Sequence, residues 1–263
     1  MRYGNYEVQF GPRNISPVTR SLLIANAVVF FLQLALDYTP YSKYLTFYFA
    51  LSPLLVYKKF FLWQLVTYMF LHSGLFHFAF NMLALWMFGA EVESRMGEKR
   101  FLQFYFFCGV GAGIATCLFP PAWSSFTLGA SGAIFGVLVA FAKYFPDRII
   151  LAFMIFPMRA RVFVIFFGLL QLFAMLSASG SNIAYFAHLG GIVFGYIFLR
   201  FEDGFQAQWR HYRWLRDEYK QERSEPDWQR VDEILDKVNR EGIGKLTKKE
   251  RSFLREISKR HRQ

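Results

Sequence analysis

Six stretches of this chain are apolar for close to the length a helix needs to cross a lipid bilayer, about 20 residues. They lie at 18–37, 75–91, 100–119, 129–144, 162–178 and 183–200. Hydrocarbon offers no partner for a backbone N–H or C=O, so such stretches must close their hydrogen bonds internally, as helices. An all-α membrane protein of six transmembrane helices is expected. The composition agrees: 54% of the 263 residues are hydrophobic and 33 are Phe, more apolar than an ordinary soluble domain. Cys108 and Cys117 share the third run. On a helix they stand roughly 13 Å apart, too far for a disulfide, and both read as apolar packing residues.

Charge sets the topology. The net charge is +11, unevenly spread. Residues 201–263 hold 16 basic and 13 acidic residues, which leaves 14 and 6 for the first 200. Cytoplasmic loops of membrane proteins carry the excess of Lys and Arg. With the N-terminus inside, Arg2, Arg13, Arg20, Arg95, Lys99, Arg100, Lys143, Arg148, Arg159, Arg161 and the tail from Arg200 all fall inside. Only Lys43, Lys58 and Lys59 fall outside, and the loops PPAWSSFT and SASGSN carry no charge. The rule gives N-in, C-in and six spans. Nucleic acid is not an expected partner, because no basic, aromatic-interleaved motif accompanies the charge. The first 20 residues lack an apolar core, so no cleaved signal peptide is expected. The short soluble N-terminus suggests a bacterial inner membrane.

Four parts follow: a cytoplasmic N-terminus at 1–17, a six-span domain at 18–200, a juxtamembrane linker helix at 201–226 and a cytoplasmic helical hairpin at 227–263. Two loop regions are rich in aromatic and apolar residues and should lie in the membrane interface. One is DYTPYSKYLTFYFALSPLLVYKKFFLW and the other FPDRIILAFMIFPMRARV. The linker carries Trp209, Tyr212 and Trp214. In the hairpin, Val231, Ile234, Leu235 and Val238 share one helical face. Thr247 to Glu250 is a capping-box pattern, followed by Phe253, Leu254 and Ile257. A solvated appendage and a docking or regulatory module both fit this pattern, and the tail's partner stays open.

Polar side chains inside apolar spans are costly and mark candidate sites. Ser131 opens the fourth span, His188 lies in the sixth, and His72, His77 and Asn81 stand at the entry of the second. In the N-in topology all five fall in the outer leaflet. Gly132 and Gly136 follow the serine, and Gly191 and Gly195 follow the histidine. Such small-residue pairs let helices approach closely and would oppose Ser131 to His188. A neutral imidazole can then take the serine proton and return it to a leaving amine. No Asp or Glu lies in an outer-leaflet span, so a dyad is expected. His77 and Asn81, one helical turn apart, can offer N–H donors to an oxyanion, as can the backbone of Ser131. HExxH is absent and the five-residue step from His72 to His77 suits one helical face poorly, so no metal is expected.

The motifs HSGLFHFAFN at 72–81, GASG at 129–132 and AHLGGIVFG at 187–195, in that order on three spans, resemble those of the rhomboid family of intramembrane serine proteases. The resemblance covers residues 15–200. It implies Ser131 as nucleophile, His188 as base, His77 and Asn81 at the oxyanion hole, and no cofactor. It further implies His72, Gly129, Gly132 and Phe135 lining the site, in a water-accessible cavity open to the outer side. Substrates would be single-span membrane proteins whose helices unwind near the outer surface, cleaved after a small residue. Two positions depart from the family. Trp63-Gln64 stands where the family often has Trp-Arg, and Phe135 stands where a Tyr commonly stacks on the histidine. A non-cleaving membrane scaffold is the alternative, though such relatives usually lack the serine or the histidine. A transporter fits poorly, because no inverted repeat is evident.

Overall fold

The computed structural model describes residues 2–3, 6–7, 12, 14–119, 125–152, 156–177, 185–201 and 228–260. The chain divides into two compact units, Met1–Phe201 and Glu202–Gln263. The tips of the two uncharged loops and the linker, with Trp209, Tyr212 and Trp214, lie outside the described residues.

In the first unit the apolar runs are helices: α1 Pro17–Leu36, α5 Leu75–Met96, α6 Glu98–Cys117, α7 Ser131–Tyr144, α8 Ala160–Ser177 and α9 Tyr185–Phe201. Between α1 and α5 come three short helices, α2 Tyr41–Phe49, α3 Pro53–Lys59 and α4 Gln64–Thr67, and a 3₁₀ turn at Tyr68–Phe70. The core forms where α6 and α7 meet, around Phe101, Phe104, Tyr105, Cys108, Val137 and Phe141, all buried. Large apolar side chains also face outward: Val28 and Phe31 on α1, Phe76 and Phe80 on α5, Ile165, Phe166, Leu169 and Phe173 on α8. Apolar surface on this scale is unfavourable in water and natural in lipid.

Among the described residues, α1 and α5 are long and apolar enough to cross a membrane, while Ser131–Tyr144, Ala160–Phe173 and Tyr185–Phe201 are apolar and shorter. The fourth run is short for a physical reason. Gly129 has φ +125, a conformation that no helix contains, so α7 starts only at Ser131.

Two departures from an all-α fold are visible. Arg2–Tyr3 (β1) pairs antiparallel with Tyr6–Glu7 (β2), and Ile149–Ala152 (β3) pairs antiparallel with Phe156–Arg159 (β4). The second hairpin occupies the segment expected to lie in the interface. Pro146 and Pro157 forbid a helix through it, and β-branched Ile149 and Ile150 favour extended backbone.

Two buried polar groups tie distant segments together. Glu93 on α5 accepts from Val18 N (2.9 Å), Thr19 N (2.7 Å) and Thr19 Oγ1 (2.8 Å). It therefore satisfies the free N–H groups and positive end of α1, which its own Ser16 does not cap. Gln64 is fully buried. Its Nε2 donates to Phe47 O at 2.9 Å and its Oε1 accepts from Ser52 N at 3.1 Å. The neutral amide thus holds the loop after α1 without a buried charge.

In the second unit, α10 Trp228–Glu241 and α11 Lys248–Arg260 join through a 3₁₀ turn, Ile243–Lys245. Val231 and Ile234 are buried, as is Leu246 beside the turn. Thr247 N donates to Glu250 Oε2 at 2.7 Å and Glu250 N to Thr247 Oγ1 at 3.3 Å, the reciprocal pair of a capping box.

Candidate active site

Ser131 is the first residue of α7, and the turn before it is pinned from the loop after α1. Thr127 and Leu51 exchange backbone hydrogen bonds of 2.8 and 2.9 Å, and Gly129 N donates to Tyr68 O at 2.9 Å. The turn thus owes its shape to residues far upstream in the chain. At the first helical position the backbone N–H of Ser131 has no carbonyl behind it in the helix and joins the positive end of the helix dipole.

Glycines bring α9 to this point. Gly191 lies against the backbone of Gly132, and a Cβ on Gly195 would sit 2.9 Å from Gly136 Cα. Gly136 itself abuts Cys108 of α6. Helices in contact through backbone leave their flanking side chains facing one another. His188 Nε2 stands 2.8 Å from Ser131 Oγ. The Phe135 ring, one turn beyond Ser131, stacks on the imidazole with centroids 4.5 Å apart and planes 24° apart. Phe135 makes this contact with no hydroxyl.

The other imidazole nitrogen has a partner that no motif announced. His188 Nδ1 is 2.9 Å from Gln171 Oε1 on α8. Gln171 sits in the run VFVIFFGLLQLFAMLS, and the signal was available: a lone amide in an apolar span, as informative as Asn81.

His77 on α5 closes the other side. A Cβ on Gly129 would lie 2.8 Å from His77 Nε2 and 3.7 Å from Ser131 Oγ, so His77 Nε2 and the serine hydroxyl flank the same glycine. His77 Nδ1 is 2.9 Å from Ser73 Oγ, a second partner that sequence reasoning missed. Asn81 is buried, and its Nδ2 donates to His77 O at 2.8 Å. One amide hydrogen remains. That bond also explains why an asparagine is tolerated in an apolar helix.

His72 precedes α5, held by its backbone. It donates to Gln33 Oε1 at 2.9 Å and accepts from Gln33 Nε2 at 3.2 Å. The residue is 3% exposed, and its ring meets His77 edge-on at 5.2 Å, with Phe78 and Phe30 beyond. It therefore meets His77 from a buried position.

A sequence profile of the Rhomboid domain matches residues 59–201, more than half of the chain. Residues 216–260 match a family of unknown function, DUF6576. The Rhomboid protease GluP of Bacillus subtilis (strain 168) is 49% identical over 78 residues, 30% of this chain and 15% of that protein. Rhomboid protein 1, mitochondrial, of Saccharomyces cerevisiae is 34% identical over 134 residues, 49% of this chain and 38% of the relative. RHOMBOID-like protein 1 of Arabidopsis thaliana is 33% identical over 150 residues, 56% and 36% of the two chains. The chain thus spans well under half the length of each of these relatives.

Proposed function

The chain belongs to the rhomboid family, an integral-membrane family, and on that premise we propose that it is an intramembrane serine endopeptidase acting through a Ser131–His188 dyad. The observation that carries this reading is the 2.8 Å contact between Ser131 Oγ and His188 Nε2, made by two helices locked together through glycine.

In the reaction, Nε2 of His188 takes the hydroxyl proton as Oγ attacks the scissile carbonyl. The imidazolium then protonates the leaving amine. Water, activated by the same imidazole, releases the acyl group and regenerates Ser131. Negative charge develops on the carbonyl oxygen. We assign the Ser131 backbone N–H, His77 Nε2 and the second Asn81 amide hydrogen as the donors to that oxygen; the support is that His77 Nε2 and Ser131 Oγ flank Gly129 and that Asn81 bonds to His77 O.

The substrate is a single-span membrane protein. A helical substrate hides its carbonyls in internal hydrogen bonds, so Gly or Pro near the cut promotes the unwinding that exposes one. We place the site toward the outer side of a six-span, N-in and C-in bundle, supported by the loop charges. The Bacillus subtilis relative favours a bacterial cell membrane.

The test is cleavage of a model single-span substrate in liposomes by wild type, Ser131→Ala and His188→Ala. Cleavage by wild type alone is expected. Equal cleavage by Ser131→Ala would assign the activity to a contaminant and sink the proposal. Substrate capture without cleavage by the wild type would turn the reading to a scaffold.

A further inference from the structure

We propose that Gln171 is a positioning residue for the base: its side-chain carbonyl accepts the Nδ1–H of His188 and so fixes the tautomer whose Nε2 lone pair faces Ser131. The inference rests on the serine-protease reading above.

An imidazole carries one proton when neutral, and the hydrogen bond at one nitrogen decides the state of the other. If Nδ1 were the lone-pair nitrogen, Nε2–H would point at Ser131 Oγ and no base would face the nucleophile. A partner that accepts at Nδ1 excludes that state. In soluble triads a carboxylate does this. In this chain the acceptor is an amide, which requires no buried charge in an apolar helix.

The geometry is specific to this contact. Gln171 Oε1 is 2.9 Å from His188 Nδ1 while Nε2 is 2.8 Å from Ser131 Oγ, so both ring nitrogens are engaged. One turn further along, Gly168 faces Ile192: a Cβ on the glycine would meet Ile192 Cδ1 at 3.6 Å. Gly168 and Gln171 are three apart, and His188 and Ile192 four apart, so each pair shares a helical face. Helices α8 and α9 therefore face each other at both of these positions. Stacking by Phe135 prevents ring tilt from one face, and the Gln171 bond prevents rotation about the ring axis.

The experiment uses the full chain in detergent. It compares wild type with Gln171→Met, Gln171→Asn and Gln171→Glu, and runs Ser131→Ala beside them. Three readouts are taken: kcat and KM on a single-span substrate, the rate at which a fluorophosphonate labels Ser131, and Tm. Methionine fills the space without an acceptor, and asparagine keeps the amide but falls short of Nδ1. Both should lower kcat and labelling by about tenfold or more, the order of one lost orienting hydrogen bond, with KM near wild type. Glutamate restores an acceptor at the same reach and should recover both rates. A Met variant with wild-type kcat and labelling would overturn the inference. So would a folded Glu variant as slow as the Met variant, because then acceptance at Nδ1 is not what matters. Failure of the serine-protease reading looks different: Ser131→Ala would cleave as well as wild type.

Discussion

At Gly129 the backbone has φ +125, and an added Cβ would stand 2.7 Å from His77 Cε1. Gly129→Ala thus combines a disfavoured conformation with a clash against a ring that flanks Ser131. The ring must move or the turn must, and a displacement near 1 Å costs on the order of 100-fold in rate. We expect that loss in substrate cleavage, with Tm only modestly lower. Gln64→Ala should do the reverse. It strands the buried Ser52 N–H, at about 1–3 kcal/mol, and releases the carbonyl of Phe47, which is exposed. Thermal unfolding in detergent should report that loss of stability, with residual activity tracking the folded fraction. Candidate site residues were legible where they broke the apolar pattern. Ser131, His188, His77 and Asn81 stood out because polar groups in hydrocarbon need a reason. Gln171 broke the pattern equally but matched no motif, and its meaning depends on a cross-helix distance that sequence spacing does not encode. Gln64 was legible only as a departure from a family pattern. Its bonds to Phe47, Tyr48 and Ser52 are three-dimensional facts.

At the scale of elements, the α7–α9 contact is the one on which the site depends. A Cβ on Gly191 would run into the Gly132 carbonyl, which is backbone and has nowhere to go. Gly191→Val must push α9 away and take His188 with it. Both cleavage and fluorophosphonate labelling of Ser131 should fall at least about 100-fold, and Tm should drop. Gly168→Ala is the control, because its methyl meets Ile192 Cδ1 at an ordinary 3.6 Å and should leave rates unchanged. If Gly191→Val labels like wild type, the glycine contact does not set the approach of His188 to Ser131. The small-residue spacing announced this crossing, since glycine pairs at i and i+4 permit backbone contact. Other elements were less legible. Hydropathy marks an apolar run but not where its helix begins, so the late start of α7 after Gly129 was missed. The β3–β4 hairpin was hidden because its residues, IILA and FPMR, are as apolar as those of a helix at the membrane edge. The π-helical stretch at Leu85–Gly89 within α5 leaves no trace in the hydrophobic period.

For the whole molecule, the two units draw their stability from different sources, so they should respond differently to acid. The first unit is built mainly on apolar contact and bonds between neutral groups, apart from Glu93 and the pairs of Arg148 with Glu91 and of Arg159 and Arg161 with Asp147. The tail hairpin depends on Glu250, which accepts from Thr247 N and Thr247 Oγ1 and pairs with Lys237 at 3.0 Å. The Thr247 backbone bond first, then the Lys237 and Thr247 side chains, pull the Glu250 carboxyl down to about 2 from its ordinary 4.5. A carboxyl depressed by folding contributes stability that is complete above its unfolded pKa and lost as pH falls through the folded one. The window for the hairpin therefore runs from about 4.5 down to about 2. Hydrogen exchange on the full chain in detergent, corrected for intrinsic rates, should show α10 and α11 losing protection across that window. Glu250→Gln should lower protection at neutral pH and flatten its acid dependence, because the variant has no proton to gain. The core of α6 and α7 should hold its protection throughout. Flat protection of α11 across the whole window in the wild type would mean that the capping box and its lysine do not hold the hairpin, and that the apolar face around Val231 and Ile234 suffices by itself.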